Sequence, residues 1–218
     1  MHIAIADVID ATQLATLRTA LAAALFVDGR RTAGALSAEV KDNAQATGRH
    51  ADMVAELISD AMLRHPLVVM AARPKSIIGP TFSRYHVGQA YGRHVDEPVM
   101  DGRRADIAFT LFLSDPATYV GGELVIEGAD GETPVKLAAG AIYLYPATTL
   151  HHVAPVTSGE RLAAVGWIRS FIRRADQREL LFDLDTAYRR LFEKHGKTDD
   201  IDLLAKTLAN LLRQWSDD

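Results

Sequence analysis

The sequence predicts an α+β fold, with short antiparallel strands forming a sandwich or barrel between two helical regions. Three observations carry this. Residues 1–75 show helical periodicity, residues 76–172 break into short β-type runs, and helical periodicity returns over 173–218. Those limits are the expected domain boundaries, because the apolar repeat changes there between 3.6 and 2 residues.

Asp10 followed by Gln13 has the spacing of a capping box, and Leu14, Leu17, Leu21 and Leu25 recur at helical steps behind it. A second helix is expected from about Gly48 to Arg64, with Val54, Leu57, Ile58, Ala61 and Met62 on one side. Pro66 disfavours helical geometry at His65 and ends it. The strand candidates are TFSRYHV, DIAFTLFLSD, GGELVIEG, ETPVKL, GAIYLYP and RLAAVGWIRSF. Several short strands at close spacing suit a sandwich or barrel. Gly121 and Gly122 read as a turn with close strand approach, and Asp115-Pro116 closes the strand before it. Leu180, Leu181, Leu184, Tyr188, Leu191 and Phe192 then carry a helix. In TDDIDLLAKTLANLLRQW, Ile201, Leu204, Leu208, Leu211 and Trp215 form a narrow seam for another helix. That partner is a helix of the same domain or, in a homo-oligomer, of a second subunit.

Bulk properties narrow the function. A chain of 218 residues is long enough for one domain with a substantial core, or for one domain with a helical appendage. With 48% hydrophobic and 24% charged residues it matches an ordinary globular protein, not a disordered or membrane-spanning one. Net charge is -4 and the arginine pairs (Arg30/Arg31, Arg103/Arg104, Arg173/Arg174, Arg189/Arg190) are scattered, which argues against nucleic acid as a partner. There is no cysteine, so a metal must be held by nitrogen and oxygen. The opening MHIAIADVID lacks the basic and apolar regions of a secretory signal, so the cytoplasm is the expected compartment.

The stretch YHVGQAYGRHVDEP, residues 85 to 98, places His94 and Asp96 two residues apart. On a strand such residues share a face, so an imidazole and a carboxylate converge while Val95 packs away. These are two parts of a 2-His-1-carboxylate triad, the arrangement that holds Fe(II) and leaves other positions open. LYPATTLHHVAPV offers the third ligand in His151 or His152. Arg161 begins RLAAVGWI on a face shared with Ala163, Val165 and Trp167. If buried there, its guanidinium needs an anion, either a rim carboxylate of the protein or a bound organic acid.

Three motifs, RYHVGQAYGRHVDEPVM, TLFLSDPATYVGGELVIE and LYPATTLHHVAPVTSGER, resemble those of the Fe(II)- and 2-oxoglutarate-dependent dioxygenases. More narrowly, they resemble the bacterial PKHD-type hydroxylases, relatives of the prolyl 4-hydroxylase catalytic domain, over nearly the whole chain. The resemblance implies a double-stranded β-helix (jelly roll) core, N-terminal supporting helices and a C-terminal helical subdomain. It implies His94, Asp96 and His151 as metal ligands and catalytic centre, with His152 outside the ligand set. Arg161 is implied to bind 2-oxoglutarate, and Tyr85 to hydrogen-bond the same carboxylate. Fe(II), 2-oxoglutarate, O2 and L-ascorbate are the implied cofactors and cosubstrates. The implied reaction hydroxylates a small-molecule or peptidyl substrate and releases succinate and CO2. Tyr91 is expected to pack or to wall the substrate side, with Gly88 and Gly92 serving loop geometry. The mouth loops, 97–104 and 115–120, name no substrate class. Two alternatives stay open: a metal-binding or iron-sensing assembly module, and a cupin-like metalloenzyme without 2-oxoglutarate. Neither needs a cation at position 161. Acidification through about pH 6.5 is expected to weaken iron binding, because ligand imidazoles must be neutral.

Overall fold

The computed structural model describes residues 1–217. A first strand, β1 (Ile3–Ile5), leads into α1 (Ala11–Ala22), whose start is the predicted capping box. Asp10 accepts from the Gln13 amide at 2.8 Å, and the Gln13 side chain accepts from the Asp10 amide at 3.0 Å. Leu25 departs from the expectation of a continuing helix. It opens β2 (Leu25–Asp28), because that segment pairs with β4 and leaves the leucine side chain exposed. Between them lie a 3-10 turn (Gly29–Thr32), α2 (Ala35–Glu39) and β3 (Lys41–Asp42); β4 spans Ala44–Thr47. Next come α3 (Arg49–Arg64), ending at His65 as expected, and α4 (Pro66–Ala72) with proline at its first position. The N-terminal region therefore supplies sheet strands as well as helices.

The central strands are β5 (Pro74–Tyr85), β6 (Ala90–His94), β7 (Val99–Met100), β8 (Arg103–Arg104), β9 (Ile107–Phe112), β10 (Tyr119–Gly121) and β11 (Leu124–Gly128). They continue as β12 (Gly131–Val135), β13 (Ile142–Pro146), β14 (His151–Val153), β15 (Val156–Gly159) and β16 (Arg161–Ser170). Seven form one sheet in the order β1-β13-β9-β16-β5-β4-β2, and five form another in the order β12-β11-β14-β6-β3. All pairings within them are antiparallel, which gives the jelly-roll core.

Strand β9 shows how the layers meet. Its Ile107, Phe109 and Leu111 join a core with Leu17, Ile58 and Met62 of the helices, whereas Ala108 and Phe112 join Leu124, Ile126 and Tyr145 between the sheets. Alternate side chains face opposite ways, so both faces of IAFTLF are covered and the whole run is apolar apart from Thr110. Each such large side chain contributes about 1.5–3 kcal/mol on burial.

The chain ends in α5 (Ala175–His195) and α6 (Asp199–Trp215). The predicted seam of α6 meets α5 of the same chain: Leu208, Leu211 and Trp215 pack with Leu181, Leu184 and Tyr188. Ion pairs fasten this unit to the core. Arg73 reaches Asp185 at 2.6 Å, and Arg104 on β8 spans Asp106 at 2.7 Å and Asp217 at 2.8 Å. Among the described residues no helix is long and apolar enough to cross a membrane.

Candidate metal centre and the pocket around it

Strands β6 and β14 pair so that His151 stands opposite His94. Ladder pairing of β6 stops at His94, because β14 begins at His151 and offers no partner beyond it. Asp96 therefore lies in an irregular segment just past the strand and not within it. The i, i+2 relation still brings its carboxylate round to the histidines: Oδ1 is 3.9 Å from His94 Nε2 and 3.8 Å from His151 Nε2. One ligand atom from each of the three lies within 4.8 Å of the others, a spacing that suits a shared ion.

Backbone carbonyls orient both imidazoles. His94 Nδ1 lies 2.8 Å from the Gly92 carbonyl and His151 Nδ1 lies 3.0 Å from that of Thr149. With Nδ1–H donating there, each Nε2 presents a lone pair to the common point, the tautomer a metal ligand needs. The cluster is dry, with side-chain exposures of 6%, 8% and 6% for His94, Asp96 and His151. Burial, helped by the neighbouring His151 charge, holds the His94 imidazole down to about 3. This moves its proton competition far below the expected range near pH 6.5. Burial pushes the Asp96 carboxyl up, and His151 partly offsets that. A cation seated among them removes the penalty, since it favours a neutral imidazole and an ionised carboxylate together.

Arg161 and Tyr85 stand opposite each other as cross-strand partners on β16 and β5. Arg161 is 1% exposed, with its guanidinium carbon 5.1 Å from the Tyr85 ring centre. Its Nε, Nη1 and Nη2 atoms are all buried without a hydrogen-bond partner. Gly122, at φ 66°, leaves room for this side chain: a Cβ there would stand 3.0 Å from Arg161 Cδ. Among the described residues no rim carboxylate pairs with the guanidinium.

A cavity of about 250 Å³ is lined by Tyr85, His94, Asp96, His151 and Tyr145. Tyr145 sets its ring edge against His151, with ring centres 5.0 Å apart. Its hydroxyl is raised well above its ordinary range by burial, so it stays protonated. Sequence reasoning overlooked it, although it lies six residues before His151 in the same motif. Tyr91 stacks on His94 with ring centres 3.7 Å apart and also lines the cavity.

Comparison with known proteins accords with this geometry. The 2OG-Fe(II) oxygenase superfamily model matches residues 80–169, and the PKHD-type hydroxylase C-terminal domain matches residues 176–217. A PKHD-type hydroxylase of Acaryochloris marina is 51% identical over 219 residues, covering 100% of both chains. The chain belongs to the PKHD-type hydroxylases.

It is thus an oxidoreductase of the 2OG-Fe(II) oxygenase superfamily, and that family implies Fe(II), 2-oxoglutarate and O2. Solved structures share its fold at low identity. A Trichoplax adhaerens prolyl hydroxylase, in complex with a hypoxia inducible factor oxygen degradation domain peptide fragment, has a TM-score of 0.58 and 14% identity. The match covers 83% of this chain and 86% of that one. HygX from Streptomyces hygroscopicus, with nickel, 2-oxoglutarate and hygromycin B bound, has a TM-score of 0.55 and 13% identity, over 78% and 84% of the chains. The donors of this PKHD-type hydroxylase fit the implied groups. Two imidazoles and a carboxylate suit Fe(II), and the buried unpaired guanidinium suits a carboxylate of an organic acid.

His152 points the other way from His151. It joins Glu127 and Glu132 on the outer face of the sheet, where three ligand-type atoms again lie within 4.8 Å of one another.

Proposed function

We propose that His94, Asp96 and His151 hold Fe(II), that Arg161 with Tyr85 grips the distal carboxylate of 2-oxoglutarate, and that the enzyme hydroxylates a small-molecule or peptidyl substrate. The observation that carries this reading is the Arg161 guanidinium, fully buried and, among the described residues, without a geometric hydrogen-bond or carboxylate partner. An uncompensated buried cation is costly unless an anion joins it. A metalloenzyme without 2-oxoglutarate, or an assembly module, has no use for one there.

Bound in this pocket, Fe(II) with 2-oxoglutarate and O2 supplies the oxidising power for hydroxylation, with succinate and CO2 as coproducts. The protein positions and shields. The Gly92 and Thr149 carbonyls fix the ligand imidazoles, Tyr145 and Tyr91 brace them, and the apolar residues between the sheets keep water from the reacting centre. Ascorbate is assigned the role of returning oxidised iron to Fe(II).

The test is anaerobic reconstitution with Fe(II), then admission of O2 and measurement of succinate. Succinate that depends on both Fe(II) and 2-oxoglutarate, and that ascorbate sustains, is the expected result. Iron uptake without consumption of 2-oxoglutarate defeats the assignment.

A further inference from the structure

A second buried cation, unlike Arg161, lines the cavity directly. Lys41, on the two-residue strand β3, is 7% exposed. It reaches this position because β3 pairs with β6, placing Lys41 opposite Tyr91. The ammonium donates to Thr32 Oγ1 at 3.1 Å and lies 5.1 Å from the Tyr91 ring centre. An ammonium has three donors, so two remain. Among the described residues no carboxylate pairs with Lys41; its electrostatic partners, Asp96 and Asp28, act from farther away.

The surroundings are built to hold it. Thr32 Oγ1 donates to Gln45 Oε1, and Gln45 Nε2 donates to Ser83 Oγ at 3.3 Å. Lys41, Thr32, Gln45 and Ser83 thus form one hydrogen-bonded wall of the cavity. Desolvation lowers the lysine to about 8, which leaves it protonated at neutral pH. Tyr91 connects this wall to the metal cluster, because its ring lies against both the Lys41 ammonium and the His94 imidazole. Arg161 is a separate cation, on β16 beside Tyr85.

We propose that Lys41 determines specificity by binding a carboxylate of the substrate, across Tyr91 from the metal cluster. This rests on the proposed function, in which Arg161 already serves the cosubstrate. Two buried cations then meet two anions. A carboxylate suits the site better than a phosphate: the cavity is only about 250 Å³, and Glu97 and Asp101 also line it, which disfavours a dianion. Unlike the family motifs, this wall comes mainly from residues 29–47, outside the matched superfamily segment.

The test uses the full chain loaded with Mn(II) and saturating 2-oxoglutarate. N-acetyl-L-proline and N-acetyl-L-leucine are titrated against their amides, and the paramagnetic broadening of the probe protons is followed by NMR. The free acids are expected to bind about tenfold more tightly than the amides, the effect of one charge-assisted hydrogen bond. Lys41→Met should erase that preference and Lys41→Arg should keep it, while both variants retain the wild-type affinity for 2-oxoglutarate. Equal binding of acids and amides by the wild type overturns the proposal, as does a preference that survives Lys41→Met. A loss of 2-oxoglutarate affinity in Lys41→Met also overturns it, by moving the lysine into the cosubstrate site. Failure of the wild type to take up Mn(II) or 2-oxoglutarate, seen before any probe is added, instead sinks the underlying function.

Discussion

The strands β6, β11, β12 and β14 and the segment after β6 carry two clusters of ligand-type side chains, one on each face of the sheet. His94, Asp96 and His151 face inward; Glu127, Glu132 and His152 face outward, and each set has atoms within 4.8 Å. Residue types and spacing do not separate them. Charge compensation does. Outside, Arg93 forks onto Glu127 at 2.5 and 2.8 Å and pulls its carboxyl below the ordinary range, while Glu132 is solvated. Inside, among the described residues, the carboxylate has no cationic side chain within ion-pairing distance apart from two imidazoles, Lys41 acting from farther away, and burial drives Asp96 up and His94 down. The inner set therefore lacks a close compensating charge, which a bound metal would supply.

The sharpest way to break this contrast is to delete one carboxylate from each face. Asp96→Ala is expected to abolish iron retention and turnover, by a factor of about 100 or more, because a three-ligand site cannot lose a member. Glu127→Ala should leave both within about twofold, since the outer face takes no part. Metal content by elemental analysis and succinate yield read both variants; equal losses would erase the distinction. Next in size, Arg161→Ala should raise the 2-oxoglutarate requirement by about 10- to 100-fold, the loss of a charge-assisted contact. An unchanged requirement returns that arginine to a structural role.

Two smaller effects concern the metal-free protein. The folded His94 value, about 3, lies below its unfolded value of 6.5, so between these the unfolded chain holds the extra proton. Its contribution to stability is present above pH 6.5 and is lost as pH falls toward 3. Asp96 has the opposite sign: with its folded value raised above 3.8, its contribution fades as pH rises through that folded value. Asp96→Asn should therefore raise the melting temperature of the metal-free protein at pH 7 while abolishing metal binding. A lower melting temperature would show that the buried carboxylate is already compensated. Metal-free wild type should also lose more stability between pH 6.5 and 4 than His94→Gln, a difference readable by thermal melts.

Much of this was legible in the sequence where local pattern and chemistry agree. The near-continuous apolar run IAFTLF and the alternation in RLAAVGWI mark central strands, Asp10 and Gln13 mark a helix start, and the seam of α6 announces a helical partner. The approach of His151 to His94 is a long-range register, read through family motifs and not through periodicity. What escaped notice lies in β3 and β4. A two-residue strand has no period to detect, and Lys41 reads as a surface lysine until β3 pairs with β6 and the Gly92 amide binds the Val40 carbonyl at 2.7 Å. Leu25 misled for the converse reason, since its helical spacing yielded to pairing with Thr47.

The clasp of Arg104 between Asp106 and Asp217 links the segment just past α6 to the hairpin whose Met100 and Asp101 border the cavity. The helical tail thus braces one border of the cavity. Removing the Asp217 carboxylate should loosen this border of the cavity while leaving His94, Asp96 and His151 in place, so that substrate affinity falls before turnover does.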